Sequence, residues 1–249
     1  MQTFSALYIP HAKVLTCNFR PFIFLDLLEH GRYKTTIITI KLMAPRCTFL
    51  IFALVSLVYG QTETQWKVQD FPDPIFQVEE CGRSEEVVKS LICDPNKVIP
   101  EKDVNDISNI LDNIYNTTRC NCASCIANKT GFLVMVAIMP RMYRLYNASN
   151  NHMDLITDAR IYAYYLSTYW AENFSKCDQM VLILFSRDDG VVYTLTQRDA
   201  RLKLTDELVT SITFENQKYF DTKDRNMMGK GLTTMVEQYR DVLKGHRLN

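Results

Sequence analysis

The octapeptide FLVMVAIM, residues 132–139, decides the architecture of this chain. Every position is apolar, and Gly131 and Pro140 bound the run. A strand with one wet face would alternate; an unbroken run of this length is the pattern of a strand buried on both faces. MVLILF, residues 180–185, repeats the pattern. Between the two runs, residues 154–174 carry a helical period, with Ala159, Ala163, Leu166, Trp170 and Phe174 on one face. Strand, helix and strand in this order predict a parallel βαβ unit of right-handed crossover.

Working outward, Asp189-Gly190 predicts a tight hairpin turn and VVYTL, residues 191–195, an antiparallel partner strand. Upstream, a helix is expected from Pro100 to about Asn116, with Val104, Ile107, Leu111 and Ile114 forming its apolar face. Downstream, Thr205 is expected to cap a short helix over 205–212, with Asp206 and Glu207 at its positive end. A final helix over 231–243 shows the stripe Leu232, Met235, Val236, Tyr239, Val242 and Leu243. Residues 66–74, WKVQDFPDP, read as an extended arm, because two prolines exclude a helix interior. Cys81 and Cys93 bracket a short helix-like stretch, followed by the turn Asp94-Pro95-Asn96. The expected fold is α/β: a small mixed sheet built on the right-handed βαβ unit, helices on both faces, stapled by disulfides.

A separate signal names the compartment. TFLIFALVSLVYG, residues 48–60, has an apolar core much shorter than the roughly 20 residues of a bilayer span. Arg46 precedes it, and Val58 and Gly60 are small enough for a cleavage site, so 43–60 is expected to be a signal peptide. Residues 1–42 then read as an upstream extension of the gene model. Residues 61–99 form the arm and Cys81/Cys93 staple, and 100–249 the rest of the same domain. After the leader come six cysteines, Cys81, Cys93, Cys120, Cys122, Cys125 and Cys177. Four N-glycosylation acceptors share that stretch: Asn116, Asn128, Asn147 and Asn173. Both features belong to a secretory compartment and predict a secreted or cell-surface protein. Beyond residue 60 the chain has 249 − 60 = 189 residues, with 28 − 6 = 22 basic and 28 − 2 = 26 acidic side chains. A net charge of −4 gives no footprint for nucleic acid or anionic membrane. Residues 239–249 are mostly polar, and no membrane span is expected after the leader.

The cysteines are expected to form disulfides. Zinc would need a fourth ligand beside Cys120, Cys122 and Cys125, and no histidine is near in sequence. A redox pair at Cys122/Cys125 lacks the strand-then-helix setting such thiols use. Cys81–Cys93 is the local pairing. The other four leave two alternatives: Cys120–Cys125 with Cys122–Cys177, or Cys122–Cys125 with Cys120–Cys177.

Asp188 and Asp189 follow the second buried strand at its carboxyl end, where open α/β sheets bind ligands. They are weak candidates for a Ca²⁺ site, against the simpler reading of solvated turn residues. Past residue 60 only His152 and His246 remain, and no nucleophile elbow, HExxH or phosphate-binding glycine loop is present. No catalytic residue or cofactor is expected.

Several segments taken together resemble a known family. They are Trp66 with Phe71-Pro72-Asp73-Pro74, Cys81-Gly82, Cys93-Asp94-Pro95, Asp158-Ala159-Arg160-Ile161-Tyr162-Ala163, Trp170, Cys177-Asp178, VLILFSRDDGVVYTLT and Leu204-Thr205-Asp206. In order and spacing the chain resembles the nematode modulator-of-levamisole-receptor family of the TPM-domain superfamily, over roughly residues 66–243. The resemblance implies an α/β sandwich and an auxiliary protein of an acetylcholine-gated, levamisole-sensitive channel, acting from outside the cell. Other TPM relatives imply a metal-dependent phosphatase as an alternative; a structural extracellular protein is a third. Two departures stand out: the founding modulator is membrane-anchored, and Gln197-Arg198-Asp199 stands where TPM sequences often carry glycine. Because every acceptor asparagine precedes Arg187, the surface from Arg187 onward is expected to stay bare and face the partner.

Overall fold

The computed structural model describes residues 65–144, 151–171 and 177–246, together with two short strands, β1 (Leu25–Leu27) and β2 (Thr36–Ile38). The leader at 43–60 and the acceptors Asn147 and Asn173 lie outside the described residues. The chain divides into two units, 1–61 and 62–249. In the first, β1 and β2 pair antiparallel, with Leu25 opposite Ile38.

The second unit is built on a four-stranded mixed sheet in the order β3 (Ile92–Cys93), β4 (Leu133–Met139), β5 (Met180–Ser186), β6 (Val191–Thr196). β3–β4 and β4–β5 are parallel and β5–β6 is antiparallel. Every residue of β4 and β5 is buried, which is why both read as continuous apolar runs. Among the described residues six α-helices surround the sheet: α1 (Glu101–Thr117), α2 (Ala123–Asn128), α3 (His152–Ala171), α4 (Arg198–Arg201), α5 (Asp206–Asn216) and α6 (Arg225–Lys244). α3 makes the crossover between β4 and β5 and packs over β5 and β6. It buries Ala159, Ala163, Leu166 and Trp170, the stripe expected of it. α1 and α6 pack together. The Tyr239 hydroxyl of α6 lies 2.8 Å from that of Thr194 on β6, while neighbouring Tyr193 shares a groove with Arg160 and Tyr164 of α3. Since side chains alternate along a strand, α6 and α3 cover opposite faces.

Several local expectations are corrected. The segment between Cys81 and Cys93 is a chain of turns, not a helix, and ends in edge strand β3. Residues 67–82 are also mostly turns; only Trp66 is strand-like, bridging Met142 and donating its N–H to Arg141 at 2.9 Å. The link from β5 to β6 is a four-residue loop, 187–190, closed by a Gly190 N–H to Arg187 carbonyl bond of 3.1 Å with Gly190 at φ 64°. The last helix starts at Arg225 because the Asp224 side chain accepts the Asn226 N–H. Thr205 caps α5 as expected, accepting from Leu208 N, but that helix runs on to Asn216. The short helices α2 and α4 were not anticipated.

The structure joins Cys81 to Cys93, Cys120 to Cys125 and Cys122 to Cys177, choosing the first of the two alternatives. The second bridge closes the exit of α1 onto α2; the third ties α2 to the segment entering β5. Beyond β4, a buried ion pair fixes the approach to α3. Arg144 Nε lies 2.9 Å from Asp158 Oδ2, whose side chain is 1% exposed.

Candidate functional site

Two regions of the second unit gather chemistry-bearing side chains: the carboxyl end of the sheet and the outer side of β6.

At the carboxyl end, β3 delivers Asp94, β4 delivers Arg141 and β5 delivers Arg187, Asp188 and Asp189. Asp94 is buried, and its two oxygens accept the N–H groups of Val98 at 2.8 Å and Ile99 at 3.0 Å. Burial pushes its carboxyl up to about 6, against the opposing pull of those N–H bonds, Arg225 and Arg187. Arg225, from the first turn of α6, closes the same loop by donating to the carbonyls of Val98 at 3.1 Å, Lys97 at 2.5 Å and Ile99 at 3.1 Å. Gly82 turns at φ 77° against the loop, and a Cβ there would lie 2.6 Å from the Asp94 carbonyl oxygen. A cavity of about 200 Å³ lies here, lined by Asp94, Arg83, Lys97, Glu101 and Arg225 among others.

The two aspartates weighed as weak candidates for a metal site are engaged separately. Asp189 Oδ2 accepts the Ser186 hydroxyl and the Met142 N–H, the latter at 3.0 Å, and its Oδ1 faces Arg141 Nε at 3.9 Å. It straps the segment after β4 to the end of β5. Asp188 pairs with Arg187 Nε at 2.7 Å. That hydrogen bond holds its carboxyl below the usual carboxylate range, against partial desolvation and with help from the charges of Arg187, Arg141 and Lys223. This end of the sheet therefore surrounds Asp188 with cations. Among the described residues, the one group with metal-ligand proximity is elsewhere: the sulfurs of Cys120, Cys122, Cys125 and Cys177 lie within 4.8 Å of one another. Cys177 supplies the fourth sulfur that sequence spacing hid, and the four are joined as two disulfides.

The second region is a groove of about 630 Å³ beside β6. Arg160, Tyr164 and Tyr165 of α3 form one wall, residues 193–196 the floor, and Arg201 and Asp206 the other wall. Tyr164, Tyr165 and Tyr169 are 60%, 57% and 44% exposed, and the first two rings meet edge to face with centroids 5.7 Å apart. A second hollow of about 770 Å³ continues along Tyr164, Tyr165, Tyr169, Asp178 and Arg198. Sequence reasoning singled out none of these tyrosines. The signal was present, since they occupy the face of α3 opposite its buried stripe. Of the described acceptors, Asn116 and Asn128 are both exposed. His152 is an exposed residue at the start of α3.

Comparison with known proteins identifies the lineage: residues 66–190, half the chain, match the family described as modulator of levamisole receptor-1. The chain belongs to that family. The matched span contains the six disulfide-bonded cysteines and Asp94, Arg141, Arg187, Asp188 and Asp189; β6, α4, α5 and α6 lie beyond it. No curated protein matches the chain. Among solved structures, the solution NMR structure of the N-terminal domain of a protein from P. gingivalis is similar at a TM-score of 0.51 and 16% identity. The match covers 75% of this chain and 99% of that one, and at that identity it speaks to the fold alone. Modulation of a receptor is the role that the family carries. No helix of the described residues is long and apolar enough to cross a membrane.

Proposed function

We propose that this chain is a non-catalytic, extracellular glycoprotein that binds a levamisole-type, acetylcholine-gated channel from outside the cell and shifts its gating. Family membership over residues 66–190 carries the reading. Three disulfides in one small unit support an oxidising compartment, in line with a cleaved leader at 43–60 and glycans on Asn116, Asn128, Asn147 and Asn173. A rigid domain alters a channel only by binding its closed and open states with different affinity, so the modulator must touch a surface that moves on gating. The test is co-expression of the full chain with levamisole-gated channel subunits. A shift in the agonist concentration–response curve is expected; unchanged agonist-evoked currents across cholinergic channels would overturn the reading.

A further inference from the structure

The directions of the hydrogen bonds show which backbone groups of β6 remain available. Arg187 N donates to Met139 O, and Gln179 O accepts from Leu133 N, so odd-numbered residues of β5 face β4. Gln197 N donates to Met180 O, which extends the β5–β6 register in which each pair of numbers sums to 377. Odd-numbered residues of β6 therefore face β5, and Val192, Thr194 and Thr196 direct their N–H and C=O groups outward. The Thr196 carbonyl accepts from Arg201 Nη2 at 3.2 Å, in keeping with this assignment. Among the described residues no strand pairs with the outer side of β6. Val192 and Thr194 thus offer two donors and two acceptors along a half-buried edge.

No side chain of that edge blunts it, and α5 lies beside it without pairing. Its sequence, VVYTLT, is rich in β-branched and aromatic residues and holds no charge, proline or glycine. Native edge strands are blunted by lysine, proline, a bulge or shortness, because an open edge templates pairing with another chain. The rim carries the recognition chemistry. Arg160 is exposed and makes no ion pair among the described residues, and Tyr164 and Tyr165 form a shelf beside it. Tyrosine and arginine are the residues that dominate binding hot spots. No acceptor asparagine falls on β6, α4 or α5.

We infer that an extended segment of the receptor's extracellular part, bearing a carboxylate and a bulky apolar side chain, adds to β6 as a fifth strand. Only an extended chain can satisfy outward N–H and C=O groups two residues apart. Its carboxylate meets Arg160, and its apolar side chain lies on Tyr164 and Tyr165. This inference rests on the receptor-binding reading and names the surface that serves it.

Two variants of the full chain test it. Val192→Pro deletes an outward N–H and leaves the ladder to β5 intact. Arg160→Glu reverses the rim charge without touching the edge. Each is compared with wild type for its effect on agonist-evoked currents and for binding to cells displaying the channel, after thermal unfolding shows a retained fold. Val192→Pro is expected to abolish the effect, and Arg160→Glu to weaken binding about tenfold. If wild type acts and both variants act equally, the edge is not the site, although the receptor reading stands. If wild type itself has no effect, both fail together. If wild type is a dimer that Val192→Pro converts to monomer, a second copy covers the edge and the receptor-segment inference is overturned.

Discussion

The two edges of the sheet are finished in opposite ways. β3 is two residues long, fully buried, and locked to the preceding loop through Cys93 and Cys81. The Ser90 hydroxyl occupies both the N–H and the carbonyl of Ile92, and Arg225 reaches across from α6 to close the loop that follows. β6 is six residues long, half-buried through 192–195, and unpaired with any strand on its outer side among the described residues. Both edges would be equally available to another chain if left bare. One is spent on stability and the other is left free, which separates the part of the sheet that holds the unit together from the part that can meet a partner.

That contrast can be broken at its closed side first. Replacing Cys81 and Cys93 together by alanine should cost about 3 kcal/mol, as expected for a bridge closing a short loop. A urea titration would measure it, and a loss below 1 kcal/mol would mean that the closed edge is held mainly by packing.

The next effect depends on pH. Asp94 titrates at about 6 in the fold against an ordinary 3.8, so the fold favours its protonated form. The stabilising contribution is complete below pH 3.8 and is lost as pH rises through about 6. Between pH 4 and pH 7, Asp94→Asn should therefore gain roughly 2–3 kcal/mol relative to wild type. Parallel unfolding midpoints for the two proteins across that range would test the sign.

At the open edge, Val192→Pro should cost about 1 kcal/mol, mostly packing, because edge proline is tolerated. A cooperative loss of fold would mean that β6 is as structural as β3. Asp188→Asn should be smallest, under about 0.5 kcal/mol, as an exposed ion pair contributes little. Its thermal midpoint would register a larger role.

What was legible in the sequence follows the same division. β4 and β5 were readable because burial on both faces leaves no position for a polar residue, and the stripes of α1, α3 and α6 because one buried face repeats at helical spacing. β3 was not readable, since two residues carry no period. The first turns of α6 were masked by Asn226, Gly229 and Gly231, weak helix formers kept where α6 closes on Asp103, Tyr219 and Phe220. Asp94 looked like an ordinary turn residue. The charge of Arg225, 131 positions away (225 − 94), acts on its carboxyl, and no local pattern announces that neighbour. The groove was hidden for another reason: Tyr164, Tyr165 and Arg160 became a site only when β6 was placed beneath α3.

One of the four gathered sulfurs also lies far from the others in the order of synthesis. Cys120, Cys122 and Cys125 are synthesised almost together, whereas Cys177 follows Cys122 by 55 positions. At ordinary elongation rates that interval is roughly 3–11 s. Throughout it Cys122 has two near neighbours and lacks its own partner. If Cys120–Cys125 closed first, both competitors would be removed and Cys122 would stay a free thiol until the chain entering β5 emerged, which would make the pairing a matter of timing as well as of geometry.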